Sequence, residues 1–432
     1  MRFIHTADWH LGNQMHDIDR SAETASFLRW LSDQIFEQHA DALIVSGDIF
    51  DTVNPSVEAR KQYFDFLAHV VQRGLRNIVI VGGNHDSAIM LDASKELLGL
   101  SHIHVVGSIS TAGADELVFE LTGSDGEPCA VCMALPFVRE VELRGRLSKT
   151  VPDSDLYAQG YAALYSEALE KAEALRAGRA IPLIATGHLY AAQLDGRLAA
   201  SSAKGVFEAG DDGVKKLDVL GNLGAVPPSV FPEQIDYVAL GHIHYATMVA
   251  KSPRVRYSGS PFVLGFDEAT VPRTVLSVEL SGDAPAVETL QVPAATVYRR
   301  VSGMLSEVRD ALEKLATSHA ALERDRRKPL VLEICYQKEP GVSASDYLEE
   351  AIAALPADVT VASWKLLSSF QAESTGFGEV EAQEIASFSD EEIFTRLIEA
   401  RLADDGFASD SEETKAALDE CLPLFTRIAA EL

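Results

Sequence analysis

The stretch VGGNHDSA, residues 81–88, follows the apolar run NIVI and sets two glycines, an amide, an imidazole and a carboxylate side by side. A turn accounts for the glycines, which adopt backbone conformations other residues avoid. It does not account for Asn84, His85 and Asp86. Four other apolar runs end in a similar way. FIHT (3–6) leads into Ala7-Asp8-Trp9-His10, LIVSG (43–47) into Asp48-Ile49-Phe50-Asp51, LIATG (183–187) into His188, and VALG (238–241) into His242-Ile243-His244. Such runs read as strands, and open α/β sheets carry their sites at the carboxyl ends of strands. Glycine precedes the clusters that begin at Asp48, Asn84, His188 and His242, where it lets the backbone turn and bring side chains inward.

Seven of these side chains form one inventory of metal donors: Asp8, His10, Asp48, Asn84, His188, His242 and His244. They are too many for one ion and suit two ions that share a carboxylate. Asp48, the lone carboxylate of the middle set, is the natural bridge. Mixed nitrogen and oxygen donors favour Mn, Fe or Zn over Mg or Ca alone. Two ions about 3.5–4 Å apart clamp a phosphate and lower the pKa of bound water. In that setting Asn84 reads as a ligand and His85 as the acid beside it. One Asp-x-His is a weak signal, but five clusters after five strands point to a single site.

The motif set resembles that of the calcineurin-like metallophosphoesterases. TADWHLG (6–12) and GHIH (241–244) narrow the resemblance to the SbcD family, nuclease subunits of bacterial SbcCD complexes and kin to archaeal and eukaryotic double-strand-break repair nucleases. It covers almost the whole chain and is densest at HTADWHLG, SGDIFDT, GGNHDS, ATGH and ALGHIH; YSGSPFVLGFDEA (257–269) also matches. Carried over by motif, it implies one metal on Asp8, His10, Asp48 and His244 and a second on Asp48, Asn84, His188 and His242. His85 would act on the leaving oxygen or steady charge at the phosphate, with Asp86 orienting its ring. Asp51 stands where some members carry another histidine, and the resemblance leaves its role open. Also implied are Mn(II) as preferred metal, 3′-to-5′ exonuclease action on duplex DNA ends, and endonuclease action on single strands and hairpins. So are a role in DNA repair, recombination and replication, a homodimer through helices in the region 55–100, and a heterotetramer with an SbcC-type ATPase held by the C-terminal helices.

Composition sets the remaining bounds. At 432 residues with 47% hydrophobic content the chain has material for two or three domains. No run of about 18 apolar residues exists, which argues against a membrane span. MRFIHTADWH leaves no room for a signal-peptide core, so the expected location is cytoplasmic, at the nucleoid when on DNA. Cys129 and Cys132 have CxxC spacing, but in a strand-like context positions i and i+3 face opposite ways. No second ligand pair stands nearby, so these cysteines read as small buried residues. The formal net charge of −28 excludes a protein that grips nucleic acid by bulk charge alone. Part of it is local: residues 381–432 carry fourteen acids and four bases, a net of −10.

Alternating strands and helices over residues 1–280 predict a four-layer α/β sandwich, two sheets face to face with helices outside. Helices are expected at about 21–39, 56–73, 87–98 and 157–177. Residues 281–372 read as a small α+β capping domain, and 373–432 as a polar linker followed by two amphipathic helices. Ser389 and Glu392 have capping-box spacing, and two apolar stripes follow; a partner-docking pair is the expectation. Candidate DNA contacts are Arg144, Arg146, Lys149 and Lys204, with Arg324, Arg326, Arg327 and Lys328 as a further basic run. His102 and His104 imitate the spacing of His242 and His244 but open a strand instead of closing one, which is the wrong end of the sheet. The rival readings are a small-molecule phosphodiesterase on the same fold and a non-catalytic scaffold; the complete donor set and His85 argue against the scaffold.

Overall fold

A computed structural model describes residues 1–366 except 110–113, 124, 148–149, 192–224, 283, 324–326 and 338–343, together with positions 395, 415, 418, 421 and 422. The chain divides into two units, Met1–Leu367 and Ser368–Leu432. The expected C-terminal helices lie almost wholly outside the described residues, as do Lys149, Lys204, Arg324 and Arg326.

The first sheet grows from β1 (Arg2–Thr6), β2 (Ala42–Ser46), β3 (Asn77–Val81) and β4 (Ile103–Val106), all parallel. It is extended beside β1 by the antiparallel β11 (Thr274–Glu279) and β12 (Ala286–Gln291). The second sheet has the order β5 (Val118–Thr122), β6 (Pro128–Leu135), β7 (Leu183–His188), β8 (Tyr237–Gly241), β10 (Val255–Tyr257), β9 (Thr247–Met248). Helices α1 (Ser21–Glu37), α2 (Val57–Gln72), α3 (Ala88–Asp92), α4 (Lys95–Gly99), α5 (Glu140–Arg146) and α6 (Leu156–Arg176) fill the connections.

Alternation along the strands makes the layers. Phe3, Ala42, Ile44, Val79 and Val81 face inward and pack with Val131, Met133, Val238 and Leu240 of the second sheet. Ile4, Leu43, Val45, Ile78 and Ile80 face outward onto Phe27, Leu31 and Ile35 of α1 and Tyr63, Phe66 and Val70 of α2. Tyr161, Leu164, Tyr165, Ala168 and Ala172 of α6 close the far side of the second sheet. Four layers result, as the sequence predicts. Each such side chain is worth roughly 1.5–3 kcal/mol on burial, so a charge at Ile44 would breach the dry seam between the sheets. Ser56 caps α2 by accepting from Ala59 N at 3.1 Å, and Gly74, at φ 106°, ends it in the left-handed turn that favours glycine.

The next part of the chain is β13 (Val297–Met304), α7 (Leu305–Ala320), β14 (Leu330–Gln337), α8 (Ala344–Ala353) and β15 (Val359–Leu366). Its three strands are all parallel. Leu305, Val308, Leu312, Leu332 and Ile334 form its own core. The opposite face seats Tyr298 and Val331 on Met15 and Phe266, all within the first unit. Two expectations shift. The first sheet continues through β12, beyond residue 280. The helix expected at 87–98 is two short ones, α3 and α4, and Asp92 at the end of α3 accepts from Gly107 N at 2.8 Å. Among the described residues, no helix is long and apolar enough to cross a membrane.

Candidate metal centre

The carboxyl ends of β1, β2 and β3 in one sheet meet those of β7 and β8 in the other. The loops that follow are tightly wound. Asp8, His10 and Asp48 adopt φ of 53°, 44° and 48°, and His242 adopts 100°. Side chains other than glycine avoid this region, at a cost of roughly 1–3 kcal/mol each. Backbone hydrogen bonds hold it: Asp8 N to Gly47 O at 3.0 Å, His10 N to Asp48 O at 2.9 Å and Leu11 N to Ile49 O at 2.9 Å. Turning explains only Gly47, at φ 89°. Gly83 and Gly241 serve close approach instead: a Cβ on Gly83 would lie 2.1 Å from Asp48 Oδ1, and one on Gly241 would lie 1.8 Å from Ser46 O.

All seven donor residues converge. One donor atom each from Asp8, His10 and His244 lie within 4.8 Å of one another, and so do those of Asp8, Asp48 and His188. Asp48 Oδ2 stands 3.5 Å from His10 Nε2 and 3.4 Å from His188 Nε2, facing both groups. Asn84 Oδ1 is 3.0 Å from His188 Nε2 and 3.0 Å from His242 Nδ1. His188 donates from Nδ1 to Ser46 O at 2.9 Å. In the neutral ring its Nε2 lone pair would then point at two oxygens, which is tolerable only with a proton or a cation between them.

Two observations test whether a cation fits. Asp8 Oδ2 and His10 Nε2 are both buried with no hydrogen-bond partner, and such atoms are costly unless something satisfies them. The carboxylates of Asp8 and Asp48 are also buried together, an arrangement that calls for positive charge. Mixed N/O donors around a shared carboxylate fit divalent metals. The electrostatics agree. Burial pushes His188 down, yet the Asp48 and Asp8 carboxylates overcome this and lift it to about 9. Burial, then His188, hold His242 down to about 3. Burial would raise Asp48, but His188 and His10 keep it well below the carboxylate range.

The histidines are braced from behind. His10 donates from Nδ1 to Asp51 Oδ1 at 3.1 Å, and Asn13 Nδ2 donates to the same oxygen at 3.0 Å. His244 donates from Nδ1 to Glu268 Oε1 at 2.9 Å, and Arg273 Nη1 holds Glu268 Oε2 at 3.1 Å. Carboxylates behind metal-binding histidines fix the tautomer and ring orientation. The sequence reading missed Glu268, Arg273 and Asn13 and left Asp51 without a role.

His85 is exposed beside this group, its ring 4.8 Å from that of His10. Its Nδ1 donates to Asp51 O at 3.0 Å. The expectation that Asp86 orients this ring is corrected. Asp86 instead accepts from Ile49 N at 3.0 Å, Phe50 N at 2.9 Å and Gly83 N at 2.9 Å, stitching the loops after β2 and β3 together. Of the basic candidates, Arg144 pairs with Glu140 at 2.8 Å and Arg146 with Glu167 at 3.2 Å. His104 stacks on Phe119 at 3.9 Å. Cys132 is buried and Cys129 half-buried in β6.

Two face-to-face α/β sheets with carboxylate, amide and imidazole donors at their carboxyl ends define a metal-dependent phosphoesterase. Residues 1–246 match the calcineurin-like phosphoesterase family. The chain is 33% identical to SbcD of the nuclease SbcCD from Rhodobacter capsulatus over 367 residues, 82% of this chain and 85% of that one. It is 34% identical to the protein of the same name from Escherichia coli K12 over 327 residues, 73% of this chain and 74% of that one. To the DNA double-strand break repair protein Mre11 of Aeropyrum pernix the identity is 23%, covering 85% of this chain and 81% of that one. The chain belongs to the SbcD family of calcineurin-like phosphoesterases and is a metal-dependent phosphodiesterase.

Proposed function

We propose that the chain is the nuclease subunit of an SbcCD-type complex, cutting DNA in end processing and repair. One ion would sit among Asp8, His10, Asp48 and His244, and a second among Asp48, Asn84, His188 and His242. The observation that carries this reading is Asp48 Oδ2 facing both His10 and His188 while Asp8 Oδ2 and His10 Nε2 are buried without partners. When bound, paired divalent ions neutralise phosphate charge and supply a water acidic enough to attack at neutral pH.

The chain's own groups do the rest. Asp48 keeps the two donor groups in register. Asp51 O accepts a hydrogen bond from His85 Nδ1–H, which fixes the ring and leaves Nε2 free. In its imidazolium form the ring would give the Nε2 proton to the departing oxygen or steady the phosphate. Asp86 holds the loop on which His85 rides. Mn(II) preference, 3′-to-5′ exonuclease action on duplex ends and endonuclease action on hairpins and single strands belong to the same proposal, as does cytoplasmic work on nucleoid DNA. An SbcC-type ATPase would bind the C-terminal helices. A homodimer through the region 55–100 is supported by Val57, Ile89, Leu97 and Leu100, which are 71–86% exposed although apolar.

The test is cleavage of end-labelled duplex and single-stranded DNA by the purified chain with Mn(II), with and without the ATPase partner and ATP. Asp48→Ala, His85→Ala and a chelator are the controls. Cleavage lost in all three supports the reading. Turnover of a small phosphodiester with DNA left intact in both arms would replace the nuclease by a small-molecule phosphodiesterase, and silence on every substrate despite bound metal would favour a scaffold.

A further inference from the structure

An unbroken line of hydrogen bonds runs from the capping domain to His10. Tyr298 of β13 donates its hydroxyl to Glu23 Oε2 at 2.8 Å. Arg20 Nε donates to the same oxygen at 2.8 Å, and Arg20 Nη1 donates to Asn13 Oδ1 at 2.8 Å. Asn13 Nδ2 donates to Asp51 Oδ1 at 3.0 Å, the atom that also accepts from His10 Nδ1 at 3.1 Å. The members are largely withdrawn from water: Arg20 and Tyr298 are each 6% exposed. The Arg20 guanidinium lies 5.1 Å from the centre of the Tyr298 ring and 5.6 Å from that of Phe262. It also donates to Val263 O at 2.8 Å, which fixes it at the seam between the two domains.

Surface ion pairs do not look like this. Arg20 Nε and Nη1 are committed to Glu23, Asn13 and Val263 while its Nη2 is buried without a hydrogen-bond partner, and low dielectric makes loss of any of those three bonds costly. The Asn13 amide is locked the same way, because its oxygen faces Arg20 and its nitrogen faces Asp51. No link in the line can turn without orphaning the next.

We propose that Glu23, Arg20 and Asn13 are positioning residues that set the His10 ring through Asp51, and that Tyr298 anchors the line in the capping domain. The first ion position then depends on how the cap is seated. This rests on the two-metal reading of the site. It goes beyond that reading by giving a role to four residues remote from the donors and by linking the cap to one ion position and not the other. His188 is braced by Ser46 O, and Asn84 reaches His188 and His242 directly, with no member of the line between them.

Cobalt(II) titration of the full chain, followed by ligand-field absorption and calorimetry, separates the two positions. Wild type takes up two ions. Tyr298→Phe removes one hydroxyl five bonds from the site, and Asn13→Ala breaks the line near its end. Both should weaken one ion by about 3- to 10-fold, less than the 10- to 100-fold for a partner touching the ligand, and leave the other at wild-type affinity. The double variant should lose no more than Asn13→Ala alone, since the line is already cut. Unchanged affinities in both single variants overturn the relay, as do equal losses at both ions, which mark general destabilisation, or fully additive losses in the double variant. A wild-type chain that takes up no cobalt overturns the metal reading and the relay with it.

Discussion

The Nδ1 of His244 lies 2.9 Å from Oε1 of Glu268, twenty-four residues further along the chain. Glu268 is itself held by Arg273 Nη1 at 3.1 Å and by Leu264 N at 3.3 Å. With Nδ1–H spent on this carboxylate, only Nε2 is left to offer a lone pair.

Glu268→Gln keeps the shape and removes the charge, and its amide can present NH₂ to His244 in place of an acceptor. Metal affinity at the position His244 serves should fall by about 10- to 100-fold. Arg273 keeps carbonyl partners at Phe262 O and His244 O, so the fold should survive, as circular dichroism would report. Wild-type affinity in a manganese titration would remove Glu268 from any role in the site.

A second expectation concerns Gly83. An alanine Cβ there would stand 2.1 Å from Asp48 Oδ1 and 2.3 Å from Asp48 N, so the proposed bridging carboxylate must move. A displacement near 1 Å at a reacting centre costs about 100-fold in rate. Gly83→Ala should lose at least that much cleavage. Gly145→Ala is the contrast, because no atom beyond its chain neighbours and its own helix backbone lies within 4 Å of the added Cβ. That variant should keep full activity and gain about 0.5–1 kcal/mol of helix stability. An active Gly83→Ala enzyme would show that the loop gives way without disturbing Asp48.

How far the sequence carried the site follows from burial. Strands β2, β3 and β8 are buried on both faces and so read as near-continuous apolar runs, with the donors standing shortly after them. Strand β12 is mostly exposed at a sheet edge and shows no such run. Glu268, Arg20 and Asn13 escaped notice because their partners are set by which loops meet in space, and no spacing in the chain encodes that. Asp86 misled for the opposite reason. It neighbours His85 in sequence, but successive residues in a turn point apart, and its carboxylate found three backbone N–H groups instead.

Proton release should accompany metal binding. In the free site burial opposes the charge on His188, but Asp48 and Asp8 raise it to about 9, so at neutral pH it carries a proton. A metal must displace that proton. Affinity should therefore climb with pH, by up to about tenfold per unit, and level off near pH 9. Calorimetry at pH 7.5 in two buffers of different ionisation enthalpy should show about one proton released per pair of ions through this group. Heats that are independent of the buffer would mean that His188 is neutral before the metal arrives.

The seam between the sheets predicts an acid sensitivity of its own. His5 is fully buried there, with Nδ1 3.1 Å from Tyr237 Oη and Nε2 3.2 Å from Leu240 O. Burial holds its pKa down to about 3, far below the ordinary 6.5. The unfolded chain therefore takes up this proton first. Its contribution is complete above about pH 6.5 and drains away as pH falls toward 3, by at most about 1.4 kcal/mol per unit. His104, which burial against Phe119 holds to about 4, acts in the same direction. His5→Gln keeps an amide for the two partners and cannot titrate. With chelator present, so that metal loss does not intrude, the variant should be less stable than wild type at pH 7.5 and close the gap by pH 5. Thermal melts at the two pH values measure this directly, and a gap of constant size would show that His5 does not titrate across the folding transition.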